Sequence, residues 1–172
     1  MEEFTNETID TKKLPKFEEV QLTPLHPKYW SVLRINSSIV FSIIAIALVF
    51  LWINIEDSEK ISPFWIFGFF LIVVNLAFLF TRIGFKKKAY AFRNHDVIYR
   101  SGIIATNTMV IPYNRVQHVA LHEGLISRYF GLAKVEIFTA GGSSSDLEIP
   151  GIAKEEAENI KQLLMGKIQK QL

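Results

Sequence analysis

Two stretches of 21 residues, Ile35–Ile55 and Ile61–Thr81, run without a single charged side chain, and only five residues separate them. At 1.5 Å rise per residue each makes roughly 30 Å of helix, about one hydrocarbon thickness. A core helix of a soluble domain rarely stays uncharged for so long. So short a link, Glu56 to Lys60, forces an antiparallel hairpin. Pro63 suits the first turn of the second helix, where a missing N–H costs little. Trp30, Trp52 and Trp65 lie near the ends of the runs, where indole favours the headgroup layer. The sequence predicts helices at about 35–55 and 61–83, the core of a small integral membrane protein.

Composition narrows the rest. Nine of the fourteen Phe lie between Phe41 and Phe85, so the hydrophobicity is concentrated in the hairpin. The absence of Cys excludes disulfides, thiolate metal sites and a thiol nucleophile. A net charge of +2 over 172 residues is no polycation, and no nucleic-acid partner is expected. The 56–60 link carries −2, whereas Lys28 and Arg34 precede the first run and Arg82, Lys86, Lys87 and Lys88 follow the second. By the positive-inside rule both termini belong in the cytoplasm and the link outside. No signal-peptide pattern precedes the first run.

Residues 1–23 hold six acids and three lysines and are expected to be a poorly ordered arm. Leu25-His26-Pro27-Lys28-Tyr29-Trp30 suggests a kinked interfacial segment, so residues 24–83 form the juxtamembrane and hairpin unit. Residues 84–172 form a separate water-exposed domain. Period-2 alternation over 89–93 and 97–101, around Asn94-His95-Asp96, predicts a hairpin. Residues 106–112 and 115–123 suggest a second strand pair joined at Pro112-Tyr113-Asn114. A helical turn over 125–130 should end at Gly131, with strands at 134–139 and 146–149 around a loop from Gly141 to Ser145. After Pro150-Gly151 the period becomes 3.6, and Ala153, Ala157, Ile160, Leu164 and Ile168 make one apolar stripe. The expected class is α+β: a transmembrane hairpin, then a bent antiparallel sheet or barrel capped by a C-terminal helix.

The run from Ile111 to Val119, then Arg128-Tyr129-Phe130-Gly131-Leu132-Ala133 and Thr139-Ala140-Gly141-Gly142, with Leu25-His26-Pro27 before the hairpin, resembles the YdbS-like bacterial family. Its members carry a pleckstrin-homology-type (PH-like) domain beside membrane helices. The resemblance spans about residues 24–170 and implies a seven-stranded bent sheet with a C-terminal helix. Six strands are visible, so the seventh is expected near 102–106 or in the Ser loop. The resemblance also implies a bacterial plasma-membrane, multi-pass protein, with a larger membrane protein carrying related domains as a partner. It transfers no catalytic or ligand-binding residue. Among the motif residues, Pro112 should remove a donor at a strand end, and Gly131, Gly141 and Gly142 should allow left-handed backbone or close approach. Arg115 and Gln117 are expected to brace a neighbouring loop.

The chemical constellations are sparse. His118, His122 and Glu123 lie on an alternating stretch, where positions i and i+4 stand about 13 Å apart, too far for one zinc. Thr139 to Ser145 lacks the Lys and the following helix of a phosphate loop, and no G-x-S-x-G elbow is present. No catalytic residue, metal or cofactor is expected, and the protein is not expected to be an enzyme. Arg82, Lys86, Lys87, Lys88 and Arg93 form the strongest basic cluster and are candidates for anionic lipid-headgroup contact, each worth ~1 kcal/mol near an anionic leaflet. PH domains of eukaryotes hold phosphoinositides with basic residues on their first two strands, a pattern to which Lys88, Arg93 and Arg100 are loosely similar. Three functions remain open: a protein-binding or assembly module, including self-assembly into a homo-oligomer; a headgroup sensor on the lipid bilayer; or an accessory subunit of a transporter or membrane enzyme.

Overall fold

The computed structural model describes residues 8, 19–55, 62–140 and 146–169. Two helices, α1 (Tyr29–Asn54) and α2 (Pro63–Lys87), are each long and apolar enough to cross a membrane. None of the most hydrophobic stretch of either helix is buried inside the protein, which separates them from soluble core helices. They lie against each other through Phe41, whose ring meets Phe70 and Phe78 at 6.3 and 5.9 Å. Asn75, the polar group deep in α2, donates from Nδ2 to the Leu71 carbonyl at 2.8 Å, satisfying itself within its own helix.

Both helices run further than their uncharged runs. α1 starts at Tyr29 rather than residue 35, and α2 continues to Lys87 rather than 83. Arg and Lys are good helix formers, so a charge ends the apolar count without ending the helix. The segment 25–30 therefore enters α1 at Tyr29.

Around the hairpin ends sits a β-domain of two sheets. The first has the order β1 (Thr23–Pro24), β2 (Ala89–Phe92), β3 (Asp96–Ser101), β4 (Asn107–Pro112), all antiparallel. The second is β5 (Val116–His122), β6 (Leu132–Thr139), β7 (Leu147–Ala153). A five-residue helix, α3 (Leu125–Tyr129), joins β5 to β6, and α4 (Lys154–Gln169) follows β7. Tyr90, Val97, Tyr99 and Ile111 of the first sheet share one core with Val119, Val135, Ile137 and Ile149 of the second. The stripe of α4 closes that core: Ala157, Ile160 and Leu164 are all buried, while Ile168 is partly so.

Three expectations need correction. The seventh strand is not near 102–106 but is β1, which precedes the hairpin and pairs Thr23 with Tyr90; the Ser loop lies outside the described residues. Leu25, next to β1, is 3% exposed in the common core, so the domain is assembled from both sides of the hairpin and a boundary at residue 84 cuts through its sheet. Residues 106–112 and 115–123 do not form a pair either, since β4 belongs to one sheet and β5 to the other. The 3-10 turn Tyr113–Arg115 redirects the chain between them, anchored where the buried Tyr113 donates its hydroxyl to the Arg93 carbonyl at 2.7 Å. Ala153, finally, closes β7 and is not part of the α4 stripe.

Candidate functional site

The junction between hairpin and β-domain holds two clefts, the first of them beside a break in regular pairing. The register of β6 and β7 shifts between Ala133 and Val135, leaving Pro150 and Gly151 opposite Lys134. Such a bulge bends a strand away from its partner. Gly151 adopts φ +67, and a Cβ there would come within 2.4 Å of Tyr29 Cγ, so only glycine lets α1 approach so closely. The Gly151 carbonyl also accepts from His26 N–H at 2.9 Å. On the other side Tyr29 and Trp30 pack on Phe85 of α2, with centroids 6.4 and 6.1 Å apart. The hairpin is thus seated in the domain, not tethered to it.

The first cleft, about 370 Å³, lies beside this seat and is lined by Tyr29, Lys88, Tyr99, His122, Lys134 and Glu148, among others. Lys134 Nζ contacts Glu136 at 2.6 Å and Glu148 at 3.0 Å. Hydrogen bonding to Glu136, reinforced by Glu148, holds the Lys134 ammonium above its usual pKa. Burial, with the charges of Tyr29 and Glu148, pushes the Tyr99 phenol up to about 12, so it stays protonated. The cleft therefore offers fixed donors and a compensated lysine.

The second cleft, about 590 Å³, opens between the segment leading into β1 and the α2–β2 junction, and its lining includes Val20, Leu22, Lys86, Lys87, Arg100 and Thr106. Lys87 Nζ donates to the Ile103 carbonyl at 2.6 Å. Arg100 Nε is sealed from solvent and has no hydrogen-bond partner among the described residues. Leaving such a donor unmade costs about 1–3 kcal/mol, more for a charged group.

The basic cluster expected from the sequence is divided between these places. Lys86 and Lys87 end α2 and line the second cleft. Lys88 has extended backbone, φ −81 and ψ 127, and turns into the first. Arg82 is exposed on α2, one turn before Lys86 and on the same face. Arg93 lies at the opposite end of β2, about 16 Å from Lys88 at strand rise, where its Nε donates to Asp96 Oδ1 at 2.6 Å. Arg93 pins a hairpin turn and does not join the other four. Arg100, the penultimate residue of β3, joins Lys86 and Lys87 instead because the sheet register sets it opposite Ala89; that register depends on the turn between β2 and β3, so spacing along the sequence did not reveal it.

The motif residues are dispersed. Pro112 ends β4, and Arg115 is exposed in the 3-10 turn, where its carbonyl accepts from Ala140 N–H at 3.2 Å. Gln117 is the extra, exposed residue of a bulge between Val116 and His118. Gly131 has φ +68 and ends α3; Gly141 and Gly142 lie outside the described residues. His118 stacks on Phe138 at 4.1 Å, and His122 lines the first cleft. Among the described residues no three His, Asp or Glu side chains gather as metal ligands would.

The described residues form a hairpin of two membrane-length helices seated in a seven-stranded, helix-capped β-domain, and the family model described as bacterial PH domain matches residues 31–168. This chain belongs to the bacterial PH domain family. It is 29% identical over 149 residues to the UPF0699 transmembrane protein YdbS of Bacillus subtilis strain 168, covering 82% of this chain and 87% of that one. It is also 29% identical over 146 residues to the UPF0699 transmembrane protein YdbT of the same organism, covering 83% of this chain but 29% of that longer one. No solved structure matches. The chain is a transmembrane protein with a bacterial PH domain.

Proposed function

We propose that this bacterial PH domain protein is a non-catalytic assembly module of the plasma membrane, multi-pass with both termini cytoplasmic, which takes a protein partner along the outer edge of β4. The observation that carries the reading is that edge. Among the described residues the first sheet ends at β4, so one side of Asn107–Pro112 presents unpaired backbone groups, and Val110 is 41% exposed on this strand. A six-residue free edge is a template for β-augmentation. The favoured partner is a larger transmembrane protein with related PH-like domains, since this chain resembles one part of such a longer protein; a second copy is the competing occupant.

The test is photo-crosslinking from position 108 or 110 of the full chain in native membranes, with Val110→Pro as the control that removes a ladder donor. The reading expects one stoichiometric adduct with a PH-like-domain membrane protein, lost in Val110→Pro. Absence of any adduct overturns it; an adduct with a second copy replaces the partner. Topology is tested by reporter fusions at Ser58 and after Leu172, and extracytoplasmic activity of the C-terminal fusion defeats the cytoplasmic placement.

A second reading, recognition of an anionic headgroup, is favoured by the unpartnered Arg100 Nε beside Lys86 and Lys87. A phosphate there would satisfy the guanidinium with a charge-assisted hydrogen bond. Phosphatidylglycerol retained by the detergent-purified protein should fall on Arg100→Gln and on raising salt. Unchanged retention removes this reading.

A further inference from the structure

We infer that the β-domain does not stand off the bilayer but lies on it, through an apolar face made of Ile104, Leu125 and Tyr129 that inserts into the interfacial layer beside the hairpin. These are among the most exposed large apolar side chains of the protein, at 97%, 92% and 86%, and all three lie outside the two membrane-length helices. Their positions decide what covers them. Ile104 follows Ile103, whose side chain rests 3.2 Å from where a Cβ of Gly84 would be and whose carbonyl takes the Lys87 ammonium at 2.6 Å. That places Ile104 beside the end of α2, exposed just beyond Arg82, the first charge after the apolar run. Leu125 and Tyr129 lie on α3, which packs against α1. Phe130, next to Tyr129, shares a groove with Ser31, Arg34 and Ile35, the level of the last charge before the first run. Two separate pieces of the domain thus bring exposed apolar groups to the same depth, one beside each helix.

The chemistry suits a lipid interface. Leu125 and Tyr129 are i and i+4 on α3, one helical face, with the exposed Arg128 beside them. Tyr with a basic neighbour is the residue pairing of the headgroup layer, and a short apolar face with cationic flanks lies in the interface plane. The surface is continuous with the spans themselves, so the bilayer that holds α1 and α2 covers it with no further partner.

The experiment uses the full chain in phosphatidylethanolamine–phosphatidylglycerol vesicles. Because the sequence has no Cys, a single Cys at 104, 125 or 129 carries a fluorophore at one site only. Nitroxide lipids with shallow labels should remove roughly half of the emission or more at all three positions, consistent with insertion by about 5–10 Å, and leave a label at Asn94, on the β2–β3 turn, unaffected. In Leu125→Asp with Tyr129→Asp, quenching at 104 should weaken; both residues are exposed, so the fold is kept. Absence of quenching at 104, 125 and 129 overturns the inference. Quenching that disappears when unlabelled protein is added in excess also overturns it and assigns the face to a second copy.

Discussion

At the residue scale the seat between Tyr29 and Gly151 is a contact that admits no side chain. Gly151→Ala combines a left-handed backbone, costly for any residue with a Cβ, and overlap with the Tyr29 ring. The expected loss is about 2–4 kcal/mol, read as a lower unfolding midpoint of the full chain in micelles. Gly124→Ala is the matched control, since nothing lies within 4 Å of its Cβ position, and it should leave the midpoint nearly unchanged. Asp146 offers a pH test. Its Oδ2 accepts from Thr139 Oγ1 at 2.7 Å and Thr139 N–H at 2.8 Å, and these bonds hold its carboxyl below the usual value. A depressed folded-state pKa contributes stability that is present above the unfolded value of about 4 and lost as pH falls through the folded value. Asp146→Asn should therefore lower the midpoint at pH 7, and the difference from the parent should close progressively below pH ~4. A difference that is constant with pH would show that the carboxylate charge is not what Thr139 binds.

At the element scale α4 is the closing piece of the β-domain. Leu164 is 1% exposed, whereas Lys161 is on the open face. Leu164→Ala should cost ~2–5 kcal/mol and Lys161→Ala no more than about 0.5 kcal/mol, measured as urea midpoints of the same chain. Equal shifts would mean that the stripe faces something other than the core. Two further contacts tie α4 to the first sheet: Tyr90 Oη donates to Glu156 Oε1 at 2.9 Å, and Lys167 Nζ donates to the Asn94 carbonyl at 3.0 Å. Burial and the Glu156 carboxylate together raise the Tyr90 phenol well above its ordinary pKa, so this donor is retained through the physiological range.

At the scale of the whole molecule the hairpin is an insertion into a β-domain. A soluble fragment of residues 84–172 lacks β1, Leu25 and Tyr29, all of which complete the first sheet or the core. That fragment should fold poorly. A variant in which residues 19–30 are joined to residue 85 by a short flexible linker should regain cooperative unfolding, because it restores Leu25, whose loss alone is worth ~2–5 kcal/mol. Near-ultraviolet circular dichroism of the two fragments distinguishes them. Equal cooperativity would mean that the pre-hairpin segment is dispensable. The same construction couples the tilt of the helices to the position of the domain, since β1 and β2 pair directly while leading into and out of the membrane.

Properties written in short-range pattern were legible in the amino acids alone. Length and lack of charge specified two spans; alternation specified β2, β3 and β6, and the short strand at 146–149 caught only the first part of β7; the 3.6 period placed Ala157, Ile160 and Leu164 on the buried face of α4. Each is a local consequence of where one element must hide apolar surface. The motif resemblance added the PH-like class, to which the chain belongs. What depended on distant partners was not legible. A two-residue strand such as Thr23–Pro24 carries no periodicity, and only pairing with Tyr90 and Ala89 makes it one. Nothing local told β4 and β5 apart from a hairpin, because the change of sheet depends on Tyr113 reaching the Arg93 carbonyl. The basic cluster was visible as composition, but its division was not: Lys86 and Lys87 finish a helix, Lys88 starts an extended segment, and Arg93 sits a strand's length away. Charge is carried by a residue, whereas a site is made by the register that brings residues together, and register was decided only when the chain closed its core from both sides of the membrane hairpin.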